Sequence, residues 1–274
     1  MAGILAIAKK EVLEGVRNRW IIATTLLLAA LALSLSFLGS APTGSVGAGK
    51  LAVTLVSLSS LSILLLPLIA LLLAYDAICG EFDRGTLLLL LSYPVSRWHL
   101  VLGKFAGHLA ILAFATVIGY GSAAIALVAT GDDIAGWQSF AAMIGTSILL
   151  GAAFLAIGYL ISAAVSDRGA AGGLAIGVWL LFVLIYDMAL LGLLVVDKGE
   201  IITAPVLNGL LLLNPADAYR VLNLSGLGGV SQFTGMAGVS QDAALPVGGL
   251  IAALLAWITL PLVAAGLVLR RKQI

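Results

Sequence analysis

Six stretches of about 20 consecutive apolar residues leave this chain very few possible folds, because a helix rising roughly 1.5 Å per residue crosses a hydrocarbon core of roughly 30 Å in that length. They cover residues 20–38, 53–75, 100–129, 140–165, 172–196 and 247–269. Lipid offers no hydrogen bonds to a backbone, so each stretch is expected to be helical. Composition closes off the soluble alternative: 62% of the 274 residues are apolar and 10% are charged, with a mean hydropathy of +1.17. That leaves too little polar surface to cover a globule in water. The expected fold is an all-α polytopic membrane protein of six transmembrane helices, the third long enough to tilt or to extend past the bilayer.

An even number of crossings puts both termini on one side, and the basic residues choose which. Lys9, Lys10, Arg17, Arg19, Arg84, Arg97, Lys104, Arg168, Arg270, Arg271 and Lys272 fall on the face that holds the termini, the second-to-third loop and the fourth-to-fifth loop. Lys50, Lys198 and Arg220 fall on the other. Eleven against three marks the first face as cytoplasmic. The expected location is the bacterial inner (cytoplasmic) membrane, multi-pass, with both termini in the cytoplasm. A net charge of +1 with no basic face gives no reason to expect a nucleic-acid partner.

Residues 1–19 place Ile4, Leu5, Ala8, Val12 and Val16, followed by Trp20, on one helical stripe, with Lys9, Lys10, Glu14 and Arg17 away from it. This is the pattern of an amphipathic interfacial helix along the cytoplasmic leaflet, either a topogenic anchor or a collar for a partner. Gly39-Ser40-Ala41 could pass for a signal-cleavage site, but the apolar core before it is longer than a typical signal's. Residues 20–269 form the transmembrane domain and 270–274 a basic cytoplasmic tail. Within that domain, 197–246 is the main extracytoplasmic segment. Its stretch 201–213 is too short to cross, and counting it as a span would carry Arg270, Arg271 and Lys272 outside. It is read as an interfacial or docking helix at the outer surface.

The loop 76–99 is the most informative part of the chain. Glu81, Asp83 and Arg84 meet Gly85-Thr86, a chain break followed by a residue able to cap a helix, and a leucine run then ends before Pro94. Ser96 can cap the third long helix, with Arg97 near its start and Lys104 a further two turns along. The result is a short stiff helix held between two membrane spans, the lever that a soluble motor would need.

The pattern Glu81-x-x-x-Gly85-Thr86, Pro94-x-Ser96-Arg97 and Gly103-Lys104 resembles the loop of ABC-2-type transporter permeases, and size, six spans and topology are similar over the whole chain. The resemblance implies that this loop forms a coupling helix, with Glu81, Asp83, Arg84, Gly85, Thr86, Pro94, Ser96 and Arg97 facing a separate ATPase. It also implies that the chain is not itself an enzyme and binds no cofactor, ATP and magnesium belonging to the partner. More narrowly, Asn214-Pro215-Ala216-Asp217-Ala218-Tyr219-Arg220 and the Leu269-Arg270-Arg271 ending resemble permeases serving copper-site maturation of nitrous oxide reductase. That implies a cytoplasmic ATPase dimer, a periplasmic protein met by Asn214, Pro215, Asp217, Tyr219 and Arg220, and a second copy of this chain.

Other features point elsewhere and weigh less. Gly44 to Lys50 fits the first seven positions of a phosphate-binding loop, but Leu51 stands where Ser or Thr should hold magnesium and no strand precedes it. Asp187, after Tyr186 in the fifth stretch, costs roughly 2.5–3.5 kcal/mol at mid-membrane. Tyr-Asp is half of an intramembrane aspartyl-protease signature whose Gly-x-Gly-Asp partner is absent. A hydrogen-bonded aspartate at a helix interface, or one near a cavity at the outer end, fits better. Gly169, Gly173 and Gly177, like Gly103 and Gly107, permit close helix approach, within one bundle or at a dimer interface. In ABC-2 permeases the fifth span often lies at that interface. The single Cys79 excludes an internal disulfide, and no CxxC or HExxH is present. Met143, Met188, Met236, Cys79, His99 and His108 are scattered rather than stacked, which supports no copper path and no metal ligand set. An ABC-2 exporter of another substrate, an ion-driven secondary transporter and a motorless scaffold remain as alternatives. The second would want several intramembrane charges and an internal repeat.

Overall fold

Backbone groups in hydrocarbon must be satisfied within their own segment, and the regular structure of the described residues is helical throughout. The computed structural model describes residues 2–17, 19–38, 50–86, 96–129, 137–197, 202–224 and 245–272. In chain order they form α1 (Ala2–Arg17), α2 (Arg19–Leu38), α3 (Lys50–Ala74), the short α4 (Cys79–Asp83), α5 (Arg97–Ala129) and α6 (Trp137–Ala164). Then come α7 (Arg168–Asp197), α8 (Ala204–Leu212), α9 (Pro215–Leu224) and α10 (Val247–Arg271). The leucine run 87–91, Pro94 and most of the phosphate-loop-like segment lie outside the described residues.

Among the described residues five stretches are long and apolar enough to cross a membrane: Thr54–Asp83, Arg97–Ala126, Trp137–Ala164, Arg168–Asp197 and Val247–Arg271. They match the second to sixth expected spans. The first expected span is α2, a helix of 20 residues whose described apolar part, Thr25–Ser34, is shorter than a crossing.

The bundle is built around α6. Inside the chain 61% of its apolar stretch is buried, against 11% for α7. Small residues make this possible: a Cβ on Gly158 would come within 2.6 Å of the Ala74 Cβ on α3. Leu150, Phe154, Leu155 and Tyr159 of α6 join Leu71 and Ala74 of α3 and Leu262, Ala265 and Leu269 of α10 in the main core. The helices α1 and α2 lie along α5.

The amphipathic α1 turns only part of its sequence stripe to the bundle, Ile4 and Ala8, together with Ile7 and Glu11 from outside the stripe. Leu5 and Leu13 are exposed, whereas Glu11 is buried and Ile4, Ile7 and Ala8 meet α5. Gly103 and Gly107 cause this. A Cβ on Gly103 would stand 2.8 Å from the Ile7 Cβ, and one on Gly107 would stand 2.6 Å from the Glu11 Cβ. Only a bare backbone lets α1 sit so close.

The segment read as a surface helix forms α8, exposed over Thr203–Val206 and at Gly209 and Leu213, with Leu207 and Leu211 buried. It is the first arm of a helical hairpin: the chain turns at Leu213-Asn214, and α9 packs into the bundle with Asn214, Pro215, Ala216, Asp217, Ala218 and Tyr219 all buried. Its broken backbone is satisfied by neighbouring spans. The Leu210 carbonyl accepts from the Tyr186 hydroxyl at 2.7 Å, and the Leu212 carbonyl from Trp257 Nε1 at 3.1 Å. Halfway along α7 a π-helical turn, Leu181–Ile185, interrupts the α ladder, and the Phe182 carbonyl accepts from Asn214 Nδ2 at 2.8 Å. Non-helical backbone at membrane depth is tolerated only with such partners.

Candidate functional site

Where α3 ends, Tyr75 to Ile78 make a turn and α4 follows, so that the first part of the loop 76–99 lies across the ends of three other helices. Ser162 near the end of α6 receives the backbone N–H groups of Ile78 at 2.9 Å and Cys79 at 3.0 Å. Asp76 Oδ2 takes Arg168 Nη2 of α7 at 2.6 Å, with Arg84 Nη1 at 3.9 Å. A second aspartate, Asp167, caps α7 by accepting from Ala170 N at 2.6 Å.

The centre of the site is Lys104, buried on α5. Its Nζ donates to Glu11 Oε1 of α1 at 2.7 Å and to Glu81 Oε1 of α4 at 3.2 Å. Glu11 Oε2 also faces His108 Nε2 at 3.3 Å, and His108 Nδ1 is bonded to the Tyr159 hydroxyl of α6 at 2.8 Å. Burial pushes the Glu11 carboxyl up, but the hydrogen bonds and charges of His108 and Lys104 outweigh it and hold the group at about 2. One ammonium thus joins α1, α4 and α5, and a histidine extends the connection to α6. A cleft of about 580 Å³ opens beside it, lined among others by Glu11, Glu14, Asp76, Glu81, Arg84 and Lys104.

The sequence-predicted residues of this loop divide into two groups. Glu81 is buried, and the Thr86 hydroxyl donates to its carboxylate. Asp83, Arg84 and Gly85 are exposed, and Gly85 has φ +68°, which an L side chain rarely adopts. Ser96 caps α5: its Oγ accepts from His99 N at 3.2 Å and pairs with His99 Nδ1. Arg97 is turned inward, its Nη1 donating to the carbonyls of Leu269, Arg270 at 3.0 Å and Lys272 at 3.1 Å. The basic tail is held as well: Lys272 Nζ reaches the carbonyls of Val165 at 2.9 Å and Ala163 at 3.3 Å, and lies 4.9 Å from the Phe82 ring centroid. Trp98 packs against bare Gly266 on α10. Pro94 lies outside the described residues.

At the other end, the residues offered to a periplasmic protein are turned inward. Tyr219 hydrogen-bonds Ser147 of α6 at 2.8 Å, and Ser147 continues to Ser62 of α3 at 3.3 Å and thence to Tyr120 of α5 at 2.7 Å. Asn214, Asp217 and Arg220 bond one another and α7. Gly169, Gly173 and Gly177 are exposed, and a Cβ at Gly173 or Gly177 would meet nothing within 4 Å. Sequence reading passed over Glu11, His108 and Tyr159 as a unit. The signal was there in Glu11 falling on the Ile4, Ile7, Ala8 face of α1, four and seven residues after Ile7 and Ile4.

Among the described residues no group of three or more His, Cys, Asp or Glu is placed to hold a metal ion. Residues 5–274 match the family described as ABC-2 family transporter protein. The chain is 46% identical over 269 residues to the "Probable ABC transporter permease protein NosY" of Stutzerimonas stutzeri, covering 97% of each chain. It is 44% identical over 277 residues, all of both chains, to the protein of the same name from Pseudomonas aeruginosa.

Proposed function

Because this chain belongs to the ABC-2 transporter family, we propose that it is the membrane subunit through which a separate cytoplasmic ATPase drives transport, or a mechanical signal, across the inner membrane. The naming of its relatives as NosY supports a place in copper-site maturation of nitrous oxide reductase, with a NosF-like ATPase dimer, a NosD-like periplasmic protein and a second copy of this chain as partners. ATP and magnesium belong to the ATPase. The chain crosses the bilayer six times, α2 being the first span, with both termini in the cytoplasm.

One observation carries the coupling role: the buried Lys104 bonds both Glu11 and Glu81. A push on the exposed Asp83–Arg84–Gly85 turn is thereby felt by α1 and α5 together, since breaking either ion pair would strand a buried charge. The Ser162 and Arg168 contacts pass the same displacement to α6 and α7. The exposed face of α7 with Gly169, Gly173 and Gly177 suits the second copy.

The test uses the complex with its ATPase in nanodiscs. Reversing Glu81 to Lys, or deleting Gly85 and Thr86, is expected to leave the protein in the membrane and ATP hydrolysis running, with reductase maturation lost. Fully coupled turnover in these variants would overturn the reading. An exporter of another substrate would keep the coupling phenotype and leave maturation untouched.

A further inference from the structure

The hairpin α8–α9 is rooted in a group of charges that coupling at the loop leaves unexplained. Asp217 is fully buried. Arg220, one turn along α9, donates Nη1 to Asp217 Oδ1 at 2.5 Å and Nη2 to Asp187 Oδ2 of α7 at 2.5 Å. Asn214 Nδ2 donates to Asp217 Oδ2 at 2.9 Å. One guanidinium therefore faces two carboxylates, and a full negative charge is left over where there is little water to screen it.

A second observation concerns hydrogens. Asp187 Oδ1 is buried with no hydrogen-bond partner, and its carboxyl group and that of Asp217 are bridged by the same guanidinium. An ionised carboxylate has only acceptors, so this oxygen lacks a hydrogen that nothing beside it donates. The surplus charge and the missing hydrogen are cured by the same particle.

The neighbours supply no other remedy. α3 and α6 present hydroxyls to α9, those of Ser62, Ser147 and Thr146, and α10 packs on it through Leu250 and Leu254. The other titratable group nearby, Tyr186, already donates to the Leu210 carbonyl. Among the described residues no further cation comes near, and Arg220 has both Nη groups engaged.

We propose that Asp187, Asp217 and Arg220 form a proton-binding site, in which one proton is shared between the two carboxylates while the hairpin is seated. Protonating a carboxylate forms one O–H bond and breaks none within the protein. It leaves the site neutral: one carboxylate against one guanidinium, with the shared proton between the carboxyl oxygens. Lifting the hairpin into water would return that proton to solvent, so hairpin position and proton binding are linked. This does not rest on the coupling role.

The experiment is an infrared titration of the full chain in a detergent free of carbonyl groups, from about pH 5 to about pH 9, a range in which ordinary exposed carboxyls are ionised. The protonated carboxylic C=O band is followed by its shift in heavy water. Wild type is expected to show such a band at neutral pH, and both Asp187→Asn and Asp217→Asn are expected to lose it, because each leaves one carboxylate paired with Arg220. Absence of the band in wild type overturns the proposal whether or not the variants fold. A band surviving in either variant overturns it too, since the proton would then belong to one residue alone.

Discussion

Lys104 shows why a buried charge works as a mechanical joint. Its ammonium is almost without exposure, as are the carboxylates of Glu11 and Glu81 that it bonds. Lys104→Met removes the charge and strands both carboxylates. The expected loss is about 3–5 kcal/mol of stability, read as a lowered thermal midpoint and as easier proteolysis of α1. Glu11 gives the same joint a pH signature. Its carboxyl is depressed from 4.5 to about 2, so its stabilising effect is complete above the unfolded value and is lost as pH falls from 4.5 towards 2. At roughly 1.4 kcal/mol per pH unit this is about 3 kcal/mol for docking of α1. Hydrogen exchange of α1 should rise steeply over that interval in wild type and lose that dependence in Glu11→Gln. Tyr219→Phe deletes one hydroxyl and leaves Ser147 with a weaker partner set, which should cost about 1–2 kcal/mol, measured by denaturation in detergent.

Glycine spacing looks alike in α5 and α7, yet the two helices use it differently. Gly107 lies so close to α1 that a valine there would meet the Ala8 carbonyl, 3.0 Å from its Cβ, and would have to lift the helix. Gly107→Val is expected to release α1, and limited proteolysis of the first 17 residues would report it. Gly177→Leu meets nothing inside the chain. It should leave the thermal midpoint of the single chain unchanged and lower the dimeric fraction in native mass spectrometry if α7 meets a second copy. Residue type and interval are the same in both helices, so the neighbour decides. The hairpin makes the same point for polar residues. From sequence, Asn214 and Pro215 are expected to meet a periplasmic protein in an extracytoplasmic segment, yet both are buried. Tyr186, Trp257 and the π turn of α7 supply the hairpin's partners from far along the chain.

For the whole molecule, the coupling reading requires the α3–α5 connection to be cytosolic. Asp83 is exposed at its turn, and an Asp83→Cys variant should react with a membrane-impermeant maleimide in inverted vesicles and resist it in intact spheroplasts. The reverse pattern would place the loop on the wrong side for any ATPase. The five long apolar helices are written in runs of apolar residues, because insertion into lipid is governed by local hydropathy that each segment carries by itself. The helices from Lys50 onward accordingly end within a few residues of where the apolar stretches do. Glu81 in the loop could also be picked out, since Gly85-Thr86 beside it is a local break. Tertiary structure alone decided that Glu81 is held by Lys104, that Arg97 and Lys272 clamp the chain end, that α1 turns Glu11 inward, and that Asp187 shares Arg220 with Asp217. Each of these joins separate elements through residues between 23 and 175 positions apart, and a contact of that kind is fixed by how helices stack, which no single segment encodes.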